Sequence, residues 1–245
     1  MAKNIEFSIH PELLHIKEIQ PIPSKLDIPD WFKKIKHTVD HPTIKGCVPV
    51  LDSITAGYIL PLPQDMHIRW NVLNQDNQPD CFVRFPHSEL NRQSIYNLNE
   101  DAQSHPINQV GGKDSSLGMK NGNFPVCKIL NPWVIKTPPG YSCLFLPPMH
   151  RENDYFHILP GMVDTDNFGI EVNFPFIVNS GKYSTFDKVF KQGLPYVQVI
   201  PFKRQQWKMN IKAKNFFEHE KFKANYYLKL WNRYKTMIWN KKEWM

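Results

Sequence analysis

The chain has 245 residues, a length that fits one large domain, or one domain with an extension, and that can bury a substantial core. It contains 21 prolines and 11 glycines, and 13% of its residues are aromatic, which favours short strands joined by turns over a helix bundle. Twelve Lys or Arg and three acidic residues fall in residues 203–245, so this segment carries +9 and residues 1–202 carry −2. Composition therefore excludes the body of the chain as a nucleic-acid binder and leaves only the basic tail as a candidate.

The cysteines predict a protein with reduced thiols. Cys47, Cys81, Cys127 and Cys143 form no C-x-x-C pair and have no histidine at zinc-finger spacing. We expect mostly buried, free thiols and a cytoplasmic location. The N-terminus lacks the apolar core of a signal peptide, and no run of eighteen apolar residues predicts a transmembrane helix, so no membrane contact is expected.

The first third of the chain predicts short strands and one short helix. Alternating apolar residues predict a strand at 4–9, and the segment 26–35 has the caps of a short helix. Residues 41–62 are interpreted as a loop that leads into an apolar strand. The alternating runs at 67–73 and 81–85 are separated by a polar turn, which predicts a hairpin.

A polar insertion separates this part from a run of strands. Residues 97–123 are rich in Asn, Gly, Ser and Asp, which predicts a long loop that is at most partly ordered. Strands are predicted after it at VCKIL, PWVIKT, YSCLFL, FHILPGMV, GIEVNFPFIV and LPYVQVIPF. Pro and Gly punctuate these runs, and no amphipathic helix of ten residues intervenes. The pattern predicts one β-rich domain over residues 1–202, built as an antiparallel barrel or double sheet.

The basic tail, residues 203–245, is predicted to be a helical extension. Over residues 214–239 the apolar period changes to three or four residues, which indicates an amphipathic helix. Its two aromatic stripes are Phe222, Tyr226 and Leu230, and Tyr227, Trp231, Tyr234 and Ile238. Either these stripes dock on the β-domain with the lysines in water, or the lysines and rings contact a nucleic acid.

Four separated motifs occur in an order that resembles the trimeric dUTPase and dCTP deaminase superfamily, which has the β-clip fold. They are TAGY (55–58), KTPPGYSCLF (136–145), GMVDTDNFG (161–169) and KQGLPYVQVIPF (191–202). The chain more distantly resembles proteins encoded by phages and marine bacteria. The resemblance implies a mainly β fold of β-clip or related barrel type, a nucleotide ligand, and a homotrimer with sites between subunits.

The resemblance also implies the site residues. Asp164 matches the carboxylate that activates water in the family, and Gln198 matches the glutamine of the last motif. Tyr141 lies in the Pro-Gly-Tyr turn, and Phe168 stands one place after the family's stacking ring. Arg151 is the nearby cation where the Arg-Ser-Gly phosphate loop is missing. Tyr141, Arg151, Phe168 and Gln198 are therefore the candidate ligand-binding residues, and Asp164 is the candidate catalytic residue.

Two departures argue against an intact catalytic site. Ile59 follows the TAGY motif where the family has a carboxylate, and an isoleucine cannot bind Mg²⁺. The sequence LPPMHR replaces the phosphate loop, so the groups that would hold a triphosphate are not evident. Asp164 has an alternative role as a turn residue that accepts backbone hydrogen bonds. The motifs identify no cofactor.

Three function classes remain open from the sequence. The first is a nucleotide-related or other small-ligand-binding protein with degenerate catalytic motifs. The second is a non-enzymatic, phage-associated assembly protein that uses the β-domain as a scaffold. The third is a non-haem iron oxygenase, which would require His150 and His157 to converge with a carboxylate such as Asp154. No metal site is assigned, because the spacing of these residues is not diagnostic.

Overall fold

The protein is built from antiparallel β-sheets. A computed structural model describes residues 3–86, 102–121, 124–151, 153–228 and 233–245. Its strands form four sheets of two, three, four and five strands, and every strand pair is antiparallel. The mainly β class predicted from the sequence is confirmed, but no barrel closes within these residues. The helices described are all too short or too polar to cross a bilayer.

Fourteen strands and five α-helices are described. The strands are β1 (Glu6–Ser8), β2 (Ile22–Pro23), β3 (Tyr58–Pro61), β4 (Met66–Leu73), β5 (Pro79–Arg84), β6 (Ser104–His105), β7 (Val126–Ile129), β8 (Val134–Lys136), β9 (Tyr141–Leu146), β10 (Phe156–Ile158), β11 (Gly161–Val163), β12 (Phe174–Val178), β13 (Phe186–Phe190) and β14 (Pro195–Lys203). The helices are α1 (Asp30–Lys34), α2 (Val48–Thr55), α3 (Ser116–Asn121), α4 (Phe216–Leu228) and α5 (Arg233–Met237).

One sheet brings the four sequence motifs together. Its strand order is β11-β9-β14-β3-β2, so each of the four motifs contributes one strand. β9 lies between β11 and β14, with Cys143 opposite Val163 on one side and opposite Pro201 on the other. β14 also pairs with β3, where Val199 lies opposite Tyr58. We call it the motif sheet.

Alternation along these strands turns one face of the motif sheet into the core. Phe145 of β9 and Val197 and Val199 of β14 are buried, because every second residue points to the same side. The Phe145 ring contacts Phe174 of β12, with centroids 5.3 Å apart. The four-stranded sheet, with strand order β10-β12-β7-β6, therefore packs on the motif sheet through aromatic side chains.

The predicted early elements are present, but β2, α2 and β13 are not predicted from the sequence. The strand predicted at 4–9 is β1, the short helix is α1, and the hairpin is β4–β5. The helix α2 lies in the segment interpreted as a loop, because it spans only eight residues and so short an apolar run does not distinguish a helix from a strand. β13 was also missed. It is an edge strand that pairs only with β4, so its sequence FDKVF shows no regular alternation.

The polar insertion and the basic tail differ from their predictions in detail. Within the insertion, β6 pairs with β7, and α3 follows, so the described part contains regular structure. Its residues 97–101 and 122–123 lie outside the described residues. In the tail, the predicted helix is present as α4 and α5, but Leu230 and Trp231 lie outside the described residues. No described residue of α4 is buried, so its aromatic stripe does not dock on the β-domain.

The four cysteines are free, as the sequence predicts, but only two are buried. Cys127 and Cys143 lie in the core, and burial raises their pKa values to about 12 and about 11. Cys81 is exposed at the surface of β5, and Cys47 is half-buried. Because only the thiolate is nucleophilic, the two core thiols should be inert in the folded protein.

Thiol titration with Ellman's reagent at pH 8 should separate these environments. We expect Cys81 to react first and Cys127 and Cys143 to react only after unfolding. The variant Cys81→Ser should lose the fast phase, and the number of thiols that react in the slow phases should stay the same. A fast phase that survives this substitution would contradict the assignment.

A close backbone contact explains the glycine of the TAGY motif. Gly57 has φ +66°, a left-handed conformation that residues with a side chain rarely adopt. A Cβ atom built there would lie 1.9 Å from the carbonyl oxygen of Val199. The absence of a side chain at Gly57 thus lets the start of β3 lie close to Val199 of β14.

The variant Gly57→Ala should destabilise the protein strongly. Left-handed strain and the collision with β14 together predict a loss of about 3 kcal/mol or more in the free energy of unfolding. Gly181→Ala is the matched control, since a Cβ there meets nothing within 4 Å and the residue has no left-handed φ. Urea unfolding should show the control within about 0.5 kcal/mol of the wild type.

Candidate functional site

The acidic turn, residues 164–168, joins β11 to the next part of the chain. The carbonyl oxygen of Asp164 accepts hydrogen bonds from the backbone N–H groups of Asn167 and Phe168, both at 3.0 Å. The half-buried Phe168 ring packs on the core. Phe168 therefore anchors the turn to the core, and little of its ring surface remains exposed for stacking on a ligand.

Thr165 fixes the middle of the acidic turn. Its side chain is fully buried, and its Oγ1 lies 2.7 Å from Oγ1 of Thr137. The backbone adds a bond in which the N–H of Thr137 donates to the carbonyl of Thr165. The shape of the turn is therefore held by threonines and by the backbone.

Asp166 forms a paired salt bridge with Arg204. Nη1 of Arg204 donates to Oδ1 of Asp166 at 2.8 Å, and Nη2 donates to Oδ2. The backbone N–H of Gly140 donates to the same Oδ2 at 2.8 Å. The hydrogen bonds from Arg204, followed by that from Gly140, lower the pKa of Asp166 to about 2. Only 6% of the Asp166 side chain is exposed, so this carboxylate is a structural partner.

The guanidinium of Arg204 also reaches β9. Its Nη1 donates to the carbonyl oxygen of Tyr141 at 3.0 Å and to Oγ of Ser142 at 2.9 Å. The same nitrogen lies 3.3 Å from Oδ1 of Asp164. Arg204 therefore joins the end of β14, the start of β9 and the acidic turn.

Asp164 is the exposed member of this cluster. Oγ of Ser142 donates to its Oδ1 at 2.6 Å, and 66% of the Asp164 side chain is exposed to solvent. Two carboxylates face one guanidinium, so the cluster carries a net charge of −1. Such a site favours hydrogen-bond donors or cations, and it opposes a triphosphate unless a cation intervenes.

Gln198 points into the structure. Its side chain is buried, and its Nε2 donates to the carbonyl oxygens of Ser53 and Ala56 at 2.9 and 2.7 Å. Its Oε1 accepts from the N–H of Met149 at 3.0 Å. The neighbouring Ile59, which pairs with Gln198, is buried as well. Gln198 thus fastens α2 and the segment LPPMHR to the motif sheet.

Arg151 is paired with Asp27. Its Nη2 lies 2.9 Å from Oδ2 of Asp27 and also donates to the Asp27 carbonyl oxygen. Only 16% of its side chain is exposed, and burial lowers the pKa of Arg151. The structure places Arg204, and not Arg151, beside Asp164.

Tyr141 lines a pocket of about 400 Å³. Side chains alternate along β9, so Tyr141 and Ser142 lie on opposite faces, and Ser142 contacts Asp164. The rings of Tyr58, Tyr141 and Trp244 contribute to the pocket wall, together with Lys3 and Glu243. Of the five sequence-predicted site residues, the structure brings only Tyr141 to this pocket.

The candidate iron ligands have separate partners. Nε2 of His150 lies 3.1 Å from Oγ of Ser53, and Asp154 forms an ion pair with Lys182. His157 lies in β10 opposite Ile177. Within the described ranges, no three His, Cys, Asp or Glu side chains are grouped so that they could hold a metal ion.

The sequence does not identify the residues that define the acidic turn's salt bridge and the aromatic pocket. Arg204 follows β14 directly, but the charge count assigned it to the basic tail. In the sequence, Tyr58 stands out only as part of the TAGY motif, and Trp244 only as part of the aromatic segment IWNKKEWM. Alternation along β9 was the usable signal, because it already places Tyr141 and Ser142 on opposite faces.

The variant Arg204→Gln should make the fold more sensitive to acid. A carboxylate whose folded pKa is lowered adds stability above its unfolded pKa of about 3.9, and this stability is lost as the pH falls through the folded pKa of about 2. Without the guanidinium, Asp166 should titrate closer to its ordinary value. The midpoint of acid unfolding, followed by circular dichroism, should therefore move to higher pH.

Lys182→Gln is the control for this experiment. It removes a cation that pairs with Asp154 at the surface, where about half of each side chain is exposed. The acid midpoint of this variant should stay near that of the wild type. Equal shifts in the two variants would show that net charge, and not the Arg204 pair, sets the response.

Two comparisons with known proteins found no match for the sequence. No protein-family model matches the sequence, and no curated protein matches it either. The likeness to the dUTPase superfamily accordingly rests on the four motifs that meet in the motif sheet. The ligand chemistry has to be argued from the residues of this chain.

Proposed function

We propose that the chain is a nucleotide-related binding protein of dUTPase-like fold with a degenerate catalytic site. The observation that carries the proposal is the pocket of about 400 Å³ beside Tyr141. Its volume lies in the range of small-molecule sites, and its wall is partly aromatic. Tyrosine and tryptophan rings offer flat surfaces on which a nucleobase can stack.

The polar groups of the pocket favour a ligand with little negative charge. Lys3 is the cation among the lining residues, and Glu243 supplies a carboxylate. A hydrogen bond from Lys241 lowers the pKa of Glu243, so this carboxylate is ionised at neutral pH and can accept N–H groups of a base. One lysine fits a nucleoside or a nucleoside monophosphate better than a triphosphate.

The position of Asp164 supports binding over hydrolysis. Asp164 is not among the residues that line the pocket, and its partner Ser142 lies on the opposite face of β9. A water-activating carboxylate must lie within hydrogen-bond reach of the attacked group or of a water next to it. We therefore assign no catalytic step to the pocket.

Thermal unfolding with a ligand panel tests the proposal. The panel contains deoxynucleosides, their monophosphates and their triphosphates, with and without Mg²⁺. Nucleosides or monophosphates should raise the melting temperature more than triphosphates do. A ligand at one hundred times its dissociation constant adds about 2.7 kcal/mol of stability.

Two variants locate the binding site. Trp244→Ala removes an aromatic wall of the pocket and should weaken binding about tenfold or more. Trp207→Ala is the matched control, because this ring is 87% exposed and does not line the pocket. No shift with any nucleoside or nucleotide, or equal losses in both variants, would refute the proposal.

An assembly protein is the second candidate function. The observation that favours it is the row of exposed apolar side chains between residues 207 and 228. This candidate does not need the pocket to be occupied. The iron-oxygenase alternative has no comparable observation in its favour, since His150 and Asp154 are engaged with other side chains.

A further inference from the structure

The first part of the basic tail has the sequence pattern of a β-strand. Residues 207–214 read WKMNIKAK, in which apolar residues occupy every second position. This period of two is typical of a strand with one buried and one exposed face. We call residues 207–214 the strand-like segment.

The structure leaves this strand-like segment without a neighbour. β14 ends at Lys203, and the strand-like segment continues from it without entering a sheet or a helix of the described chain. The side chains that should be buried, Trp207, Met209 and Ile211, are 87%, 82% and 85% exposed. Nothing in the described part of the chain covers this apolar face, and a partner that buries it would stabilise the segment.

The helix that follows extends the exposed apolar surface. No described residue of α4 is buried. The large exposed side chains of the tail up to the end of α4 are Trp207, Met209, Ile211, Phe216, Phe217, Phe222, Tyr227 and Leu228. Together they present on the order of 1,000 Å² of apolar surface. A standard protein interface buries about 800 Å² on each partner, so this area is sufficient for a stable complex.

We propose that the strand-like segment adds to the motif sheet of a second copy of this chain. The acceptor is β11, which lies at the edge of the motif sheet and therefore has an unpaired side in the described structure. Addition of a strand to an open edge satisfies backbone groups and buries alternate side chains. The proposal does not rest on the nucleotide pocket.

The surface near β11 fits the strand-like segment in polarity and charge. Met162 in β11 is 72% exposed, and Ile170 beyond the acidic turn is 62% exposed, so apolar partners for Trp207 and Ile211 are available. The exposed carboxylate of Asp164 lies at the end of the same strand and can face a lysine of the incoming segment.

The charge division of the sequence is compatible with a second copy as the partner. The segment 203–245 carries +9 and residues 1–202 carry −2, so the tail of one copy is attracted to the body of another. A nucleic acid would use the lysines and the rings, but it would leave Met209 and Ile211 in water. The apolar alternation therefore favours a protein partner.

The proline variant Asn210→Pro tests strand addition directly. Proline removes a backbone N–H and is excluded from the interior of a paired strand. Asn210 is exposed in the single chain, so the fold should survive. Asn210→Ala is the matched control, because it keeps the N–H.

Sedimentation and light scattering of the full chain give the readout. The wild type and Asn210→Ala should form species of two or more 28.8 kDa chains, and Asn210→Pro should dissociate roughly tenfold or more readily. Met162→Asp should weaken the assembly in the same way by placing a charge on the acceptor strand. Hydrogen exchange should show protected amides in residues 207–214 of the wild type and of Asn210→Ala, and not of Asn210→Pro.

Several outcomes would overturn the proposal. A wild type that stays at 28.8 kDa at high concentration rules out self-association through this segment. An assembly that Asn210→Pro leaves unchanged rules out strand addition. A monomer that binds single-stranded oligonucleotides with steep salt dependence through the tail would assign the segment to a nucleic acid instead.

Discussion

The charged junction around Arg204 holds the motif sheet together at one corner. Its guanidinium contacts Asp166, the carbonyl of Tyr141 and the hydroxyl of Ser142, which belong to two different parts of the chain. Three chain segments that are distant in sequence therefore meet on one planar cation. Arginine suits this role because its donors are fixed in a plane and can bond in pairs, which a lysine cannot do.

The two faces of the motif sheet have different chemistry. One face carries the exposed carboxylate of Asp164 beside Ser142, and the Tyr141 side chain, which lines the aromatic pocket, points to the other. β9 supplies neighbouring residues to both, Ser142 to the carboxylate and Tyr141 to the pocket, and their side chains point to opposite faces of the sheet. This separation is the physical reason to propose a binding protein, since a carboxylate cannot act on a ligand through a layer of backbone.

Alternation and turn chemistry predict the strands and hairpin well, because both are local signals. α2 and β13 could not be predicted, since α2 is only eight residues long and β13 is an edge strand defined by its partner β4. The same limit applies to the site. Gln198 was recognised by its place in a motif, but whether its amide faces a ligand or the backbone of Ser53 depends on packing.

Arg204 shows why charge counts mislead at the level of single residues. It lies in the most basic part of the sequence, yet it is committed to two aspartates and does not contribute a free charge to the tail. The partner of a charge is fixed by tertiary structure, and Asp166 precedes Arg204 by 38 positions.

Within the acidic turn, buried residues such as Thr165 hold the backbone, and the side chain of Asp164 is exposed. The hydroxyl pair of Thr165 and Thr137 and the anchored Phe168 keep the turn in shape, while the Asp164 side chain adds an exposed carboxylate that contacts Ser142 and Arg204. An exposed residue on an independently supported turn can change without loss of the fold. Position 164 can therefore acquire or lose a chemical role over evolution at little cost to the rest of the molecule, whereas positions 165 and 166 cannot.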